Sequence, residues 1–239
     1  MHSTDARAAE GMRAARAFGL ALLVIAQALP SSAAALQITA TPEQSLRRAR
    51  GVAAAITRAA DARDSLKATT RYDETFRKHT KRQFGPGFDW TLFKAQAMAE
   101  SDLNPNARSR VGARGLMQLM PSTFKIIRSR RPEFGEINDP ETNIAAGIMH
   151  DRYLYRLWER DIGEAQRMRF VFGSYNAGEG TIARATATAR ARALNGGEWS
   201  SIETVAPTVP RWRYRETLGY VRRIGENHEK LSATPARKR

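Results

Sequence analysis

The chain has 239 residues, no cysteine, four histidines and a formal net charge of +15, from 39 basic and 24 acidic side chains. This length fits one folded domain with extensions. Without cysteine there is no disulfide framework, thiolate catalysis or cysteine-bound metal, and four histidines without HExxH spacing argue against another metal site, so no cofactor is expected. The positive charge favours a polyanionic partner, such as nucleic acid, anionic lipid or an acidic cell-wall polymer, although biased composition would produce the same charge.

Residues 1–35 have the three parts of a secretory signal peptide. Three arginines precede an apolar run over residues 18–29, and Pro30 and several small residues with an A-x-A-like site follow. The run is shorter than the roughly 20 residues that cross a bilayer, which favours cleavage over anchoring. We therefore expect a periplasmic or secreted mature chain without stable membrane insertion, and export argues against a nucleic-acid partner.

Helical patterns dominate the rest of the chain. Residues 36–41 form a short linker, and residues 42–70 form a helix with a narrow apolar stripe, which we expect to pack on the main domain. Gly and Pro mark a turn over residues 83–90, and Asp89 is placed to cap the next helix. Further helices are predicted over 141–161, on both sides of a break at 174–180, and over 213–231, with a Gly/Pro-containing loop over 195–210. No alternating strand pattern is present, so the predicted fold class is mainly α.

Glu100 lies in a helix that otherwise reads as buried. Helical spacing places Phe93, Gln96, Ala97 and Leu103 on or beside the face of Glu100, and Asn104-Pro105 is predicted to end the helix. A buried unpaired carboxylate costs several kcal/mol, or else its pKa rises and the group keeps its proton. A boundary glutamate that reaches water also fits the spacing, so this pattern alone assigns no function.

Five short blocks follow one another in a specific order. They are Glu-Ser with Asn-Pro (100–105), GARGLMQLMPST (112–123), NIAAG (143–147), SYNAG (174–178) and ETLGYV (216–221). In this order they resemble the soluble (SLT-type) lytic murein transglycosylases of the lysozyme-like superfamily. The resemblance covers residues 72–231 and implies a lysozyme-like domain. The composition of the flanking segments predicts an N-terminal linker and helix (36–71) before this domain and a basic, disordered tail (232–239) after it.

The resemblance also implies an activity. The family cuts the β-1,4 bond between N-acetylmuramic acid (MurNAc) and N-acetylglucosamine (GlcNAc) in peptidoglycan glycan strands and leaves 1,6-anhydromuramoyl ends. Glu100 matches its single catalytic acid and base. The implied substrate-binding residues are Ser109, Gln118, Met120, Tyr175, Asn176, Glu216 and Tyr220, with Asn176 expected to brace its loop. Met120 and Tyr220 fit core packing equally well, whereas Gln118, set among apolar residues, needs a polar partner.

A second catalytic carboxylate is not evident from the sequence. Ordinary glycosidases use two, but Asp102, Asp139, Glu179 and Glu216 each lack the features of a nucleophile. One carboxyl group suffices if the muramoyl 6-hydroxyl is the nucleophile, because Glu100 then acts first as acid and then as base. A hydrolytic muramidase and a non-catalytic, basic wall-binding scaffold remain alternatives.

One segment departs from the family pattern. Asp151 and Arg152 stand where apolar residues are common in the family, which leaves the surface packing of that helix open.

Overall fold

The computed structural model describes residues 43, 46–48, 50–57 and 70–233. The predicted signal peptide and residues 234–239 of the predicted tail lie outside the described residues. The chain divides into two units, residues 1–57 and 58–239. Every described residue of the first unit is helical, as predicted there. Among the described helices, none combines the length and the apolar character needed to cross a membrane.

Helices make up most of the second unit, which confirms the mainly α prediction. Within residues 70–233 they are α1 (Asp73–Phe84), α2 (Thr91–Ser101), α3 (Pro121–Arg130), α4 (Pro140–Leu157), α5 (Glu164–Ala177), α6 (Glu179–Ala191), α7 (Trp199–Val205), a 3₁₀ turn (Ala206–Thr208) and α8 (Tyr214–Ala233). The extended structure described there consists of two isolated bridges, which join Arg108 to Arg114 and Arg114 to Leu119. We call residues 107–119 the bridge loop.

The helix that carries Glu100 begins at Thr91, with Trp90 and not Asp89 as its N-cap, and it ends earlier than predicted. Asp89 accepts hydrogen bonds from the backbone N–H and the hydroxyl of Thr91 and so satisfies a donor of the first turn. At the other end the helix stops at Ser101, not at Asn104-Pro105, because Asp102 (φ 52°) and Leu103 (φ 59°) turn left-handed. Leu103 therefore lies beyond the helical face on which the periodicity placed it.

The prediction of a loop over residues 195–210 was wrong. This segment contains α7, whose Trp199, Ile202 and Val205 are buried at a spacing of three residues. Burial of these side chains outweighs the nearby glycines and prolines, which served as the signal for a loop. The predicted break over 174–180 is likewise narrower, because only Gly178 (φ 81°) separates α5 from α6.

The core consists of two apolar clusters, and α2 contributes to both of them. Ala95 belongs to a cluster built mainly from α4 to α8, with Phe170 and Trp199 among its large side chains. Phe93 and Ala97 belong to a second cluster, built with α1, the bridge loop, α3 and α4. Contacts on two sides fix α2 in position, and with it Glu100 in its last turn.

Asn143 joins the bridge loop to α4. Its buried side chain accepts a hydrogen bond from the N–H of Met117 (2.8 Å) and donates to the carbonyls of Arg114 (3.0 Å) and Ile137 (2.8 Å). Two glycines permit the close approach: a Cβ on Gly115 would lie 2.4 Å from the Asn143 amide, and one on Gly147 would lie 2.7 Å from Met117. The GARGLMQ and NIAAG blocks are therefore complementary halves of one contact.

We expect Asn143→Ala to destabilise the domain by about 3 kcal/mol, because the N–H of Met117 and the carbonyl of Ile137 lose their partner. The Arg114 carbonyl loses one of its two hydrogen bonds and keeps the one from the N–H of Leu119.

Asn227→Ala is the matched control, since Asn227 donates a single hydrogen bond, to the carbonyl of Ala95 (3.2 Å). That variant should lose about 1 kcal/mol. Urea unfolding measures both, and equal losses would contradict the role given to Asn143.

Candidate active site

Glu100 and Tyr220 form the centre of the site. Glu100 is half-buried in the last turn of α2, and the hydroxyl of Tyr220 on α8 donates a hydrogen bond of 2.6 Å to its Oε1. Burial raises the pKa of Glu100 to about 7, and the opposing effects of Tyr220 and the positive charge of Arg223 are smaller. A carboxyl group with this pKa can both donate and accept a proton near neutral pH.

Tyr220 is fixed as a neutral hydrogen-bond donor. Its side chain is only 2% exposed, and burial together with the nearby Glu100 raises the pKa of its phenol well above the usual range. The sequence did not decide whether Tyr220 packs in the core or lines a cleft. In the structure its ring lies in the core and its hydroxyl contacts Glu100. One end of the ring thus packs while the other contacts the carboxyl group.

Tyr175 lies near the same carboxyl group but bonds elsewhere. Its hydroxyl donates to the carbonyl of Met117 (2.8 Å), and its ring centroid lies 5.2 Å from that of His150. Burial and the charges of Asp151 and Glu100 raise the pKa of the Tyr175 phenol well above its usual value. Tyr175 therefore ties α5 to the bridge loop beside Glu100.

Two of the predicted binding residues, Ser109 and Gln118, lie in the bridge loop, and a third, Met120, follows it directly. Ser109 closes the tight turn at Gly112, where its Oγ accepts from the N–H of Ala113 (2.9 Å). Gln118 has φ 44°, and its amide nitrogen donates to the carbonyls of Ala107 (3.1 Å) and Gly115 (2.8 Å). Met120 is 39% exposed, which separates it from the buried residues of the core.

The two remaining predicted residues lie near the junction of α5 and α8. The Asn176 side-chain oxygen accepts from the hydroxyl of Thr217 (2.8 Å), so it braces two helices and not only its own loop. Glu216 is exposed in the first turn of α8 and forms an ion pair with Arg213 (3.2 Å). The described partner of the Glu216 carboxylate is therefore Arg213, and no described contact joins Glu216 to Glu100.

The setting of Asp151, in the core behind this site, was not predicted. From the sequence, Asp151 raised a doubt only about the packing of the helix surface. In the structure its side chain is fully buried and accepts a hydrogen bond from the Gln96 amide (3.3 Å). Burial raises the pKa of Asp151 well above its usual value, and the charge of Glu100 adds to the rise. The signal was available, because Asp151 continues the helical stripe that contains Ile148 and Tyr155.

A cavity of about 450 Å³ is lined in part by Tyr175. Its walls come from α3, α4 and the junction of α5 with α6, and they include Ile126, Arg130, Tyr153 and Glu179. Ile126 and Tyr153 expose apolar and aromatic side chains, and Arg130 and Glu179 add one positive and one negative charge to the lining. Such a mixture suits a ligand with apolar faces and polar groups.

Known proteins share this domain. Residues 77–195 match the family model described as the Transglycosylase SLT domain. A membrane-bound lytic murein transglycosylase F of Shewanella pealeana is 35% identical over 153 residues, which cover 63% of this chain and 29% of that relative. The corresponding protein of Shewanella oneidensis is 32% identical over 162 residues, covering 67% of this chain and 32% of the relative. This chain thus spans about 30% of the length of these relatives.

Solved structures show the same fold. An inactive glutamate-to-glutamine mutant of the lytic transglycosylase Slt from Pseudomonas aeruginosa aligns with a TM-score of 0.53 at 22% identity, over 70% of this chain and 25% of that one. The 70-kDa soluble lytic transglycosylase in complex with bulgecin A aligns with a TM-score of 0.50 at 25% identity, over 75% and 27% of the two chains. The domain has the lysozyme-like fold and belongs to the SLT transglycosylase family, as the order of the blocks predicted.

We expect Tyr220→Phe to raise the pKa of Glu100 above about 7, because it removes the hydrogen bond that favours the carboxylate. The fall of kcat/KM with rising pH should then shift to higher pH. Tyr175→Phe is the control, since the Tyr175 hydroxyl bonds to Met117 and leaves the Glu100–Tyr220 bond in place. A midpoint that moves in Tyr175→Phe but not in Tyr220→Phe would contradict the assignment.

Proposed function

We propose that this protein is a peptidoglycan lytic transglycosylase that cleaves the β-1,4 bond between MurNAc and GlcNAc and forms 1,6-anhydromuramoyl ends. The observation that carries the proposal is the hydrogen bond of 2.6 Å from the Tyr220 hydroxyl to Oε1 of Glu100, in surroundings whose burial raises the pKa of Glu100 to about 7. Membership of the SLT family supports the same activity.

The geometry suggests how one carboxyl group serves in both steps. Because Tyr220 bonds Oε1 of Glu100, Oε2 is the oxygen left to hold the transferable proton. Protonated Glu100 gives this proton to the bridging oxygen as the bond from the muramoyl C1 to that oxygen breaks. The Tyr220 hydroxyl then stabilises the carboxylate, which accepts the proton of the 6-hydroxyl as that oxygen bonds to C1. Glu100 ends the cycle protonated.

The placement of the other acids supports a single-carboxylate mechanism. Asp102 is exposed in the left-handed turn after α2, Asp139 caps α4 through the N–H of Thr142 (2.8 Å), and Glu216 pairs with Arg213. Asp151 is fully buried and therefore inaccessible to a sugar. These contacts account for these four acids without a nucleophilic role, and Glu179 is considered separately below.

Substrate contacts are proposed for the residues that the family blocks indicate. Tyr175, whose phenol lies in the field of Glu100, is expected to offer a hydroxyl to the sugar, and Gln118 and the exposed Met120 are expected to offer an amide and an apolar surface. Ser109 shapes the bridge loop, and Asn176 holds α5 against α8. We further propose that residues 1–35 direct export and that the basic surface favours binding to the acidic wall polymer.

Glu179 is the observation that keeps a hydrolytic muramidase as a second candidate. It lines the cavity that also borders Tyr175, and its charge acts on His150 in the same wall. A carboxylate in that position could orient a water molecule on the sugar. Replacement of Glu179 therefore separates the two reactions.

For the transglycosylase, Glu100→Gln should lower turnover of purified peptidoglycan by at least about 10²–10⁴-fold, the usual contribution of general acid–base catalysis. Glu179→Gln, the matched control, should keep most of the activity. Mass spectrometry of the products distinguishes anhydro ends from hydrated ends by the mass of one water molecule.

Anhydro products from both wild type and Glu179→Gln would support the proposal. Hydrated ends from the wild type, with turnover lost in Glu179→Gln, would instead establish the muramidase. Unchanged turnover in a folded Glu100→Gln variant would remove the catalytic assignment altogether.

A further inference from the structure

Gln96 and Asp151 form a polar pair inside an apolar core. Both side chains have no exposed surface, and they lie where α2 meets α4. Buried apolar residues lie close to both: Ala95 and Ala97 flank Gln96, and Ile148 and Leu154 lie within one turn of Asp151, although His150 and Arg152 are its immediate neighbours in the chain. Gln96 also stands one helical turn before Glu100, so the pair supports the part of α2 that carries the catalytic group.

The hydrogen bonds of this pair are incomplete if Asp151 is a carboxylate. The Gln96 amide nitrogen donates to Oδ1 of Asp151 at 3.3 Å. The other Asp151 oxygen, Oδ2, and the Gln96 amide oxygen, Oε1, are both buried without a hydrogen-bond partner. Within residues 70–233 Asp151 forms no ion pair. A buried carboxylate with a single long hydrogen bond would be strongly destabilising.

One proton on Asp151 satisfies both unpaired atoms. A protonated Asp151 has an O–H that can donate, and the Gln96 amide oxygen can accept it. The amide nitrogen of the same Gln96 side chain already donates to Oδ1 of Asp151. We propose that Asp151 is a neutral carboxylic acid whose Oδ2–H donates to Gln96 Oε1, and that this reciprocal, uncharged pair is a positioning element for Glu100.

The electrostatic surroundings favour the neutral form throughout catalysis. Glu100 on α2, Tyr175 on α5 and Tyr220 on α8 are coupled electrostatically to Asp151. Burial raises the pKa of Asp151, and the negative charge that Glu100 acquires after proton transfer raises it further. Asp151 thus keeps its proton when Glu100 loses its own. The pKa of Glu100 is then set by burial, Tyr220 and Arg223, and a neutral Asp151 adds no negative charge that would raise it further.

The proposal makes asparagine an adequate substitute for Asp151. In Asp151→Asn the new amide can donate to Gln96 Oε1 and accept from its nitrogen, so both hydrogen bonds persist without a proton that can leave. We expect this variant to unfold at the wild-type temperature and to keep kcat/KM within about twofold, well below the tenfold change that corresponds to one pKa unit. Its pH midpoint for Glu100 should be unchanged.

Apolar substitutions test the pairing itself. Asp151→Leu and Gln96→Leu should each lower the unfolding temperature, because each leaves a buried polar partner unsatisfied. The double variant Gln96→Leu/Asp151→Leu should lose less than the sum of the two single variants, since it leaves neither partner behind. Additive losses would show that the two side chains do not pair and would overturn the proposal.

The pH profile of Asp151→Asn separates a neutral acid from an ionised one. If Asp151 were negatively charged in the wild type, its replacement would lower the pKa of Glu100, by about one unit or more for a close charge. Such a downward shift, or failure of this isosteric variant to fold, would overturn the proposal.

Infrared spectroscopy tests the protonation state without activity. The pH profile depends on the proposed function of Glu100, so the spectra provide a test that does not. They are recorded with the Glu100→Gln variant, which lacks the Glu100 carboxyl group, and above neutral pH, where exposed carboxyl groups are ionised. Carbon-13 labelling of aspartate should shift a carbonyl band of a protonated carboxylic acid, and Asp151→Asn should remove that band. A spectrum without such a band would overturn the proposal, even if Glu100 were catalytic.

Discussion

The burial of the Glu100 carboxyl group is the constraint on which the rest of the site depends. Burial raises its pKa from 4.5 to about 7, so the folded protein holds a proton that the unfolded chain loses at lower pH. The resulting contribution to stability is lost as pH rises between these two values, at most about 3 kcal/mol. The fold thus gives up stability near neutral pH and gains a carboxyl group that can exchange its proton there.

The surrounding architecture keeps this carboxyl group in place. Both apolar clusters fix α2, and the Tyr220 hydroxyl contacts the group from α8. Asn143 binds the bridge loop to α4, and the Tyr175 hydroxyl ties α5 to the same loop through the Met117 carbonyl. Elements far apart in sequence therefore meet around one side chain, which explains why the family blocks are scattered along the chain.

The sequence revealed the helical class, the order of the blocks and the unusual setting of Glu100, because periodicity and turn residues act locally. It did not reveal the bond from Tyr220 to Glu100, which joins residues 120 positions apart. Helix α7 was not predicted, because the glycines and prolines near it indicate a loop, although Trp199, Ile202 and Val205 have the apolar spacing of a helix. Asp151 was misread because a charged residue usually marks a surface, whereas here its partner, Gln96, lies on another helix.

The most direct test of this account is the ionisation of Glu100 itself. Nuclear magnetic resonance of protein labelled with carbon-13 at the glutamate side-chain carboxyl groups follows each group through a pH titration, and Glu100→Gln identifies the signal. The account predicts that this one signal titrates near pH 7, above the exposed glutamates. A midpoint near the ordinary value of 4.5 would contradict it, because Glu100 would then hold no proton for the leaving group at neutral pH.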